Sequence, residues 1–265
     1  MTITADGVFH KLLDRAEYKF ENTCDGLIAG DGGKTVNKIG VCFKLTAQLI
    51  CEAQREGCDM VITHEPTFTL SDRRENANII DLKKWELLDK SGIALYRFHD
   101  HAHNTVPDYI HAGFIRDIGL KIEKSYEREN LGVCRYELAD SPTVRELAVR
   151  IEKNLGVEFV RVVGDADVNV KSVCLGLGSV GFEQINKLID PGCDLFITGE
   201  VGEICIDEYI RDACFFGEKK AIIILGHYSS EYAGMRYLAE KINETIAPAV
   251  YLDSGEVYRR IHSEK

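Results

Sequence analysis

No stretch of this sequence approaches the roughly 20 consecutive apolar residues that a membrane-spanning helix requires, so a membrane partner is not expected. No low-complexity segment interrupts it, and 45% apolar with 28% charged residues is the balance of a folded protein rather than a disordered tail. Excess basic charge is also missing. The formal charge of -11 excludes a general nucleic-acid surface, because such surfaces bind through Lys and Arg that release counterions, and leaves room only for a local basic pocket. Residues 1–20 alternate charged and apolar side chains without an apolar run, so no signal peptide is read and a cytoplasmic location is expected. There is no C-x-x-C pair. The nine cysteines (Cys24, Cys42, Cys51, Cys58, Cys134, Cys174, Cys193, Cys205 and Cys214) are an odd, scattered set, which predicts reduced and mostly buried thiols.

What the chain does contain is a repeat. Residues 56–65 read EGCDMVITHE and residues 191–200 read PGCDLFITGE, identical at six of ten positions. The flanks match as well. In the first half, residues 38–43 (KIGVCF) read as a strand, Thr46 caps a helix that carries Leu49, Ile50 and Ala53 on one face, and Met60 to Thr63 is the next strand. In the second half, Ser172 to Leu175 is a strand, Phe182 to Ile189 has a helical pattern broken by Pro191 and Gly192, and Leu195 to Thr198 is the returning strand. Each half then passes through a helical stretch to one more apolar strand ending at a histidine: GIALYRF before His99, and AIIIL before His227. Between the halves, Thr143 opens an amphipathic helix with Glu146 placed to close a capping box, and Glu158 to Val163 follows as a strand. The expected fold is therefore α/β. Two similar lobes, 1–125 and 126–265, are related by an internal pseudo-repeat, each a mostly parallel or mixed sheet flanked by helices. The linker is placed at residues 120 to 135, where charge rises and periodicity fades. Ligands of such sheets sit beyond the carboxyl ends of the strands.

Chemistry gathers at those ends. His64-Glu65, His99-Asp100-His101-x-His103 and His227-x-x-x-Glu231 hold five of the eight histidines, each group directly after an apolar strand. Imidazole and carboxylate without thiolate suit borderline divalent ions such as zinc, iron or manganese. Five to seven donors exceed the need of one four-coordinate ion, so two ions sharing a carboxylate, bound between the lobes, account for them better. The spacing of four from His227 to Glu231 puts both side chains on one face of a helix's first turn, with Ser229 or Ser230 as its cap. His10, His111 and His262 lack clustered partners and read as surface or packing residues. Residues 176–181 (GLGSVG) satisfy G-x-G-x-x-G, but Asp194 precedes the next strand, read as Leu195 to Thr198, and Glu200 is read as lying beyond it, so neither stands where a dinucleotide site needs an acid. The glycines are read instead as a tight strand-to-helix turn able to hold an anion.

Residues 24–31 (CDGLIAGD), 62–66 (ITHEP), 98–103 (FHDHAH), CDLFITGE and LGHYSSE together make the chain resemble the Nif-three-like proteins, a dinuclear-metal family whose bacterial members carry the name type 2 GTP cyclohydrolase I. The resemblance spans nearly the whole chain. It implies two related α/β lobes around a two-metal centre, a homohexamer, and no additional inserted domain. It carries His64, His227 and Glu231 over as metal ligands of unchanged type. Glu65 stands where the family usually has a second histidine, and His103 where it usually has aspartate, so both sets contain three imidazoles and two carboxylates. Asp100 is an alternative carboxylate, and His99 and Glu200 are implied as orienting or proton-transfer groups; Glu200 also reads as a cap. The function expected is metal-dependent hydrolysis through a metal-bridged hydroxide, cyclohydrolase-like on a purine nucleotide, with Arg73, Arg74 and the Gly178 turn as phosphate readers. The alternative is a non-catalytic metal-binding regulator, carrier or scaffold.

Overall fold

Local chemistry sets the elements first. The Thr46 and Thr143 hydroxyls accept from the amides of Leu49 and Glu146, both at 3.2 Å, and Glu146 returns to the Thr143 amide at 2.8 Å, so two helices start where their caps predict. A computed structural model describes residues 2–69, 71–126, 132–181, 192–259 and 261. The chain divides into two compact units, Met1–Ile110 with Gly234–Gly255, and His111–Ala233 with Glu256–Lys265.

The first unit runs β1 (Ile3–Thr4), α1 (Ala5–Leu13), β2 (Gly26–Ala29), β3 (Thr35–Val36), β4 (Ile39–Cys42), α2 (Ala47–Arg55), β5 (Met60–Thr63), α3 (Ile79–Ser91) and β6 (Ala94–Arg97). β4, β5 and β6 are parallel neighbours, and β2 closes the far edge antiparallel to β6. Every residue of β4, β5 and β6 is buried. This is why these strands are continuous apolar runs rather than alternating ones: both faces are covered. Leu49, Ile50 and Ala53 of α2 and Trp85 and Leu88 of α3 pack with Val61 and Leu95 into one core. Each such Leu or Ile contributes about 1.5–3 kcal/mol by leaving water.

The second unit follows with α4 (Tyr109–Ile118), β7 (Ile122–Ser125), β8 (Val133–Leu138), α5 (Val144–Leu155), β9 (Arg161–Gly164), β10 (Ser172–Ser179), β11 (Leu195–Glu200), α6 (Glu208–Phe215), β12 (Ala221–Ile224) and α7 (His227–Thr245). Its six strands lie in the order β7-β8-β10-β11-β12-β9. β10, β11 and β12 are parallel, as β4, β5 and β6 are, and the outer strands run antiparallel. After α7 the chain adds β13 (Ala249–Tyr251), parallel to β4, so the first sheet reads β13-β4-β5-β6-β2.

Three local expectations change. Residues 120 to 135, read as a linker, carry β7 and the start of β8, paired from Ile122↔Leu138 to Ser125↔Tyr136. β7 has three exposed residues and one half-buried one, so it shows no apolar signal. The strand placed at Glu158 to Val163 begins at Arg161, and G-x-G-x-x-G begins inside β10, where a bulge separates Gly176 from Ser179. The helix read at Phe182 to Ile189 lies outside the described residues, as does His262. Five cysteines are buried as expected, whereas Cys24 and Cys51 are exposed. Among the described residues no helix is long and apolar enough to cross a membrane.

Candidate metal centre

In the first unit the site is built where β5 and β6 end. Beyond Thr63 the chain stays tied to β4: the amides of His64 and Glu65 donate to the Phe43 carbonyl at 3.1 and 2.8 Å. His64 is fully buried, and its Nδ1 faces the Phe98 carbonyl at 3.2 Å. A carbonyl only accepts, so Nδ1 carries the proton and Nε2 presents its lone pair as a ligand atom. Past β6, His103 lies on a single 3-10 turn, Ala102–Asn104, and its Nδ1 faces the buried Asp108 carboxylate at 3.3 Å. A carboxylate accepts in the same way, so Nε2 is the atom His103 would offer to a cation.

His64, His99 and His103 close into one group whose donor atoms all lie within 4.8 Å of one another. The rings of His64 and His99 stack at 4.4 Å, and His103 meets both edge-on at 5.1 and 5.3 Å. Glu65 enters through His99, with Oε1 3.5 Å from Nε2. On the other side of that ring, Nδ1 is 2.9 Å from Asp100. Burial depresses the His99 pKa, but hydrogen bonds with Asp100, Cys24 and Glu65 outweigh burial and push it up to about 12. The His99 hydrogen bond in turn holds the Asp100 carboxyl well below the usual carboxylate range. His64 and His103, with the Glu65 carboxylate nearby, are donors suited to zinc, iron or manganese, and His99 stands beside them with both nitrogens facing carboxylates.

The loop is held by a residue that the sequence reading did not single out. Asp25, with 1% of its side chain exposed, accepts from the backbone amides of His99, Asp100 and His101 and from His101 Nδ1 at 2.7 Å. His101 Nε2 then accepts from the Phe20 amide at 3.2 Å, so both its nitrogens serve the fold and His101 points away from ligand duty. Asp108 was missed in the same way. Its proximity to His103, five residues on, was the one available signal.

In the second unit β12 leads through Leu225 and Gly226 into His227, which starts α7. His227 Nε2 lies 3.2 Å from Glu231 Oε2, one helical turn later, and its Nδ1 lies 3.1 Å from Glu200 Oε1 at the end of β11. Glu231 is 2% exposed. Ser229 and Ser230 fall inside the helix and do not cap it: Ser229 donates to Glu256 at 2.6 Å, and Ser230 accepts the Gly178 amide at 2.9 Å. The glycine motif of β10 thus acquires a structural role. Gly178 has φ +75°, and a Cβ there would fall on Glu231 Oε1 and come within 3.1 Å of His227 Nε2, so the donor pair occupies the space a side chain would take. Arg74, read as a phosphate reader, instead pairs with Asp89 at 2.7 Å. His111 is a packing residue as expected, bonded to the Tyr136 hydroxyl and the Gly132 carbonyl.

Comparison with known proteins places the chain in a family. A protein of Clostridium perfringens named GTP cyclohydrolase 1 type 2 homolog is 28% identical over 237 residues, covering 86% of this chain and 85% of its own. The solved structure of protein ybgI, described as of unknown function, superposes with a TM-score of 0.75 at 25% identity over 96% of this chain and 99% of that one. A Bacillus cereus protein related to NIF3 has the same fold, with a TM-score of 0.74 at 15% identity and 99% of both chains covered. The model of one family matches residues 7–253, nearly the full length, and takes in both sets of strand-end donors; the chain belongs to the Duf34/NIF3 (NGG1p interacting factor 3) family.

Proposed function

We propose that the chain binds two divalent cations through His64, Glu65 and His103 of the first unit and His227 and Glu231 of the second, and that it is a hydrolase. Purine nucleotides are the first substrate class to try, because the Clostridium perfringens relative is named for a GTP cyclohydrolase. The observation that carries this reading is the meeting of two buried histidines beyond the strand ends: the His64 and His103 rings lie 5.1 Å apart, and each is oriented by an acceptor facing Nδ1. Bound divalent ions would supply Lewis acidity and water activation near neutral pH.

The chain's own residues then have definite tasks. His99, protonated between Asp100 and Glu65, fixes the Glu65 carboxylate and holds a proton at Nε2. Glu200 fixes the His227 ring through Nδ1 and, at 55% side-chain exposure, exchanges protons with solvent. A hexameric assembly and a cytoplasmic location are part of the same proposal.

The test is metal analysis of protein purified without affinity-tag metals, followed by a screen of phosphoester, amide and purine-nucleotide hydrolysis. Two ions per chain, turnover in the screen and loss of both in Glu231→Ala are the expected results. Metal-free protein would overturn the centre. Two retained ions without turnover would leave the regulator, carrier or scaffold reading.

A further inference from the structure

A cavity of about 530 Å3 opens in the first unit between the start of α2 and the outer side of α3, with Lys44, Lys83, Lys84 and Lys90 in its lining. Four lysines in the lining of one cavity are unexpected in a chain of net charge -11. The acidic residues of the lining do not cancel them. Glu86 and Asp81 bring two negative charges against four lysines, and the Asp81 carboxylate accepts the Thr69 amide at 2.9 Å and the Asn78 side-chain amide at 2.8 Å. Lys84 is half-buried, and its Nζ donates to the Thr67 carbonyl. Burial, and then the charge of Lys44, pull the Lys84 pKa down to about 8.

Two further features of the lining point to an anion. Thr67 is 2% exposed, and its Oγ1 meets no hydrogen-bond partner among the described residues. A buried hydroxyl without a partner is destabilising, which gives a residue of this kind a reason to be there only if something else engages it. Thr46 and Ala47, the cap and first residue of the nine-residue α2, also line the cavity and bring the positive end of that helix to it. The volume lies within the range of small-molecule pockets, about 300–1,000 Å3.

We propose that this pocket binds a phosphorylated small molecule by its phosphate chain, with Lys44 and Lys84 pairing with the phosphate oxygens and the Thr67 hydroxyl donating to one of them. Several lysines in one lining, whose flexible stems can bring their charges to a bound anion, match the multiple charges of a polyphosphate better than a single carboxylate. The site is separate in its residues from the metal donors and does not depend on the hydrolase reading.

Calorimetric titration of the full chain with inorganic tripolyphosphate tests it, with GTP as a second ligand and Glu231→Ala as a background in which the metal donors are broken. Tripolyphosphate should bind wild type and Glu231→Ala alike, and Lys84→Gln and Lys44→Gln should each weaken it about tenfold, as loss of a charged hydrogen bond predicts. Thr67→Val should weaken it several-fold while leaving Tm unchanged or raised, a split that a structural role for the hydroxyl would not produce. GTP binding at least tenfold tighter than tripolyphosphate would assign the phosphate to a nucleotide, and equal affinity to a free polyphosphate; both support the pocket. Absence of binding to wild type, equal affinity in both lysine variants, or affinity that follows Glu231 instead would overturn it.

Discussion

The two strand ends that carry the repeated I-T-x-E motif have the same backbone and opposite contents. After β5 the third position is His64, buried and oriented toward a ligand; after Thr198 in β11 it is Gly199, where nothing larger fits. A Cβ on Gly199 would come 2.5 Å from the Gly178 carbonyl, 2.6 Å from Ser230 Oγ and 3.0 Å from the His227 Cα. In the second unit the room beside the central strand is taken by the start of α7 and the bulge of β10, and the imidazole comes from the next strand end as His227. In the first unit the corresponding histidine, His99, pairs with Asp100 and Glu65 while the strand-end residue turns to the donor cluster. One duplicated frame can thus keep its chemistry at the strand ends while moving the donor from one strand to the next. Backbone proximity decides where a side chain is allowed.

Writing the first unit's residue into the second is the sharpest way to break that comparison. Gly199→His must push apart β10 and α7, backbone against backbone, and overpacking of this kind costs about 3 kcal/mol or more. The expected outcome is a chain without a cooperative melt for the second unit, or one recovered only as aggregate. Soluble protein melting within about 2 °C of wild type would mean that the crowding at Gly199 does not restrict the site; on a unit of this size that shift is worth under about 1 kcal/mol.

Asp25→Ala is the next largest effect and falls on the first unit alone. Three backbone amides and His101 Nδ1 lose one buried carboxylate acceptor. Each buried donor left without a partner costs about 1–3 kcal/mol, with water entry offsetting part of the sum, so a loss of about 2–4 kcal/mol is expected. Denaturant unfolding measures it, and amide exchange at His99 to His101 should quicken while that of β11 stays unchanged. Uniform quickening in both units would show that the loop is not an independent piece of the site.

Much of the frame was legible in the sequence because it rests on local signals. β5 was bounded to the residue, since Gly57 and the His64-Glu65 pair bracket the short run Met60 to Thr63, and both helix caps lie where a threonine precedes an amphipathic stretch. β13 was not legible: three half-buried residues hold no period, and only pairing with β4, some 210 positions earlier in the chain, makes them a strand. The metal donors were legible by type and placement at strand ends. Their organisers were not, because an Asp is common everywhere and the partners of Asp25 lie 74 to 76 residues away. The roles of Gly178 and Gly199 were equally hidden, since a glycine needed for space is identical in sequence to one needed for a turn.

Asp108→Asn is the smallest change in stability and the closest test of how the first unit presents its donors. The amide keeps its oxygen for the Ile110 amide, which Asp108 Oδ1 now accepts at 2.8 Å, but sets an NH2 donor against His103 Nδ1, so that hydrogen bond survives only if the ring moves its proton to Nε2, and the fold should lose about 1 kcal/mol. What disappears is the negative charge behind a buried imidazole. Without it the ring is less firmly held in the orientation that offers Nε2, and replacement of such a carboxylate lowers metal affinity by about 10- to 100-fold. The measurement is a competitive zinc titration against a chelator of known affinity, run beside the matching change Glu200→Gln behind His227. Glu200 is more than half exposed, so solvent screens its charge and its replacement should cost less affinity than that of the buried Asp108. Equal losses at the two positions would mean that burial does not govern how the carboxylates tune their histidines, and the contrast between the two units would then reduce to geometry alone.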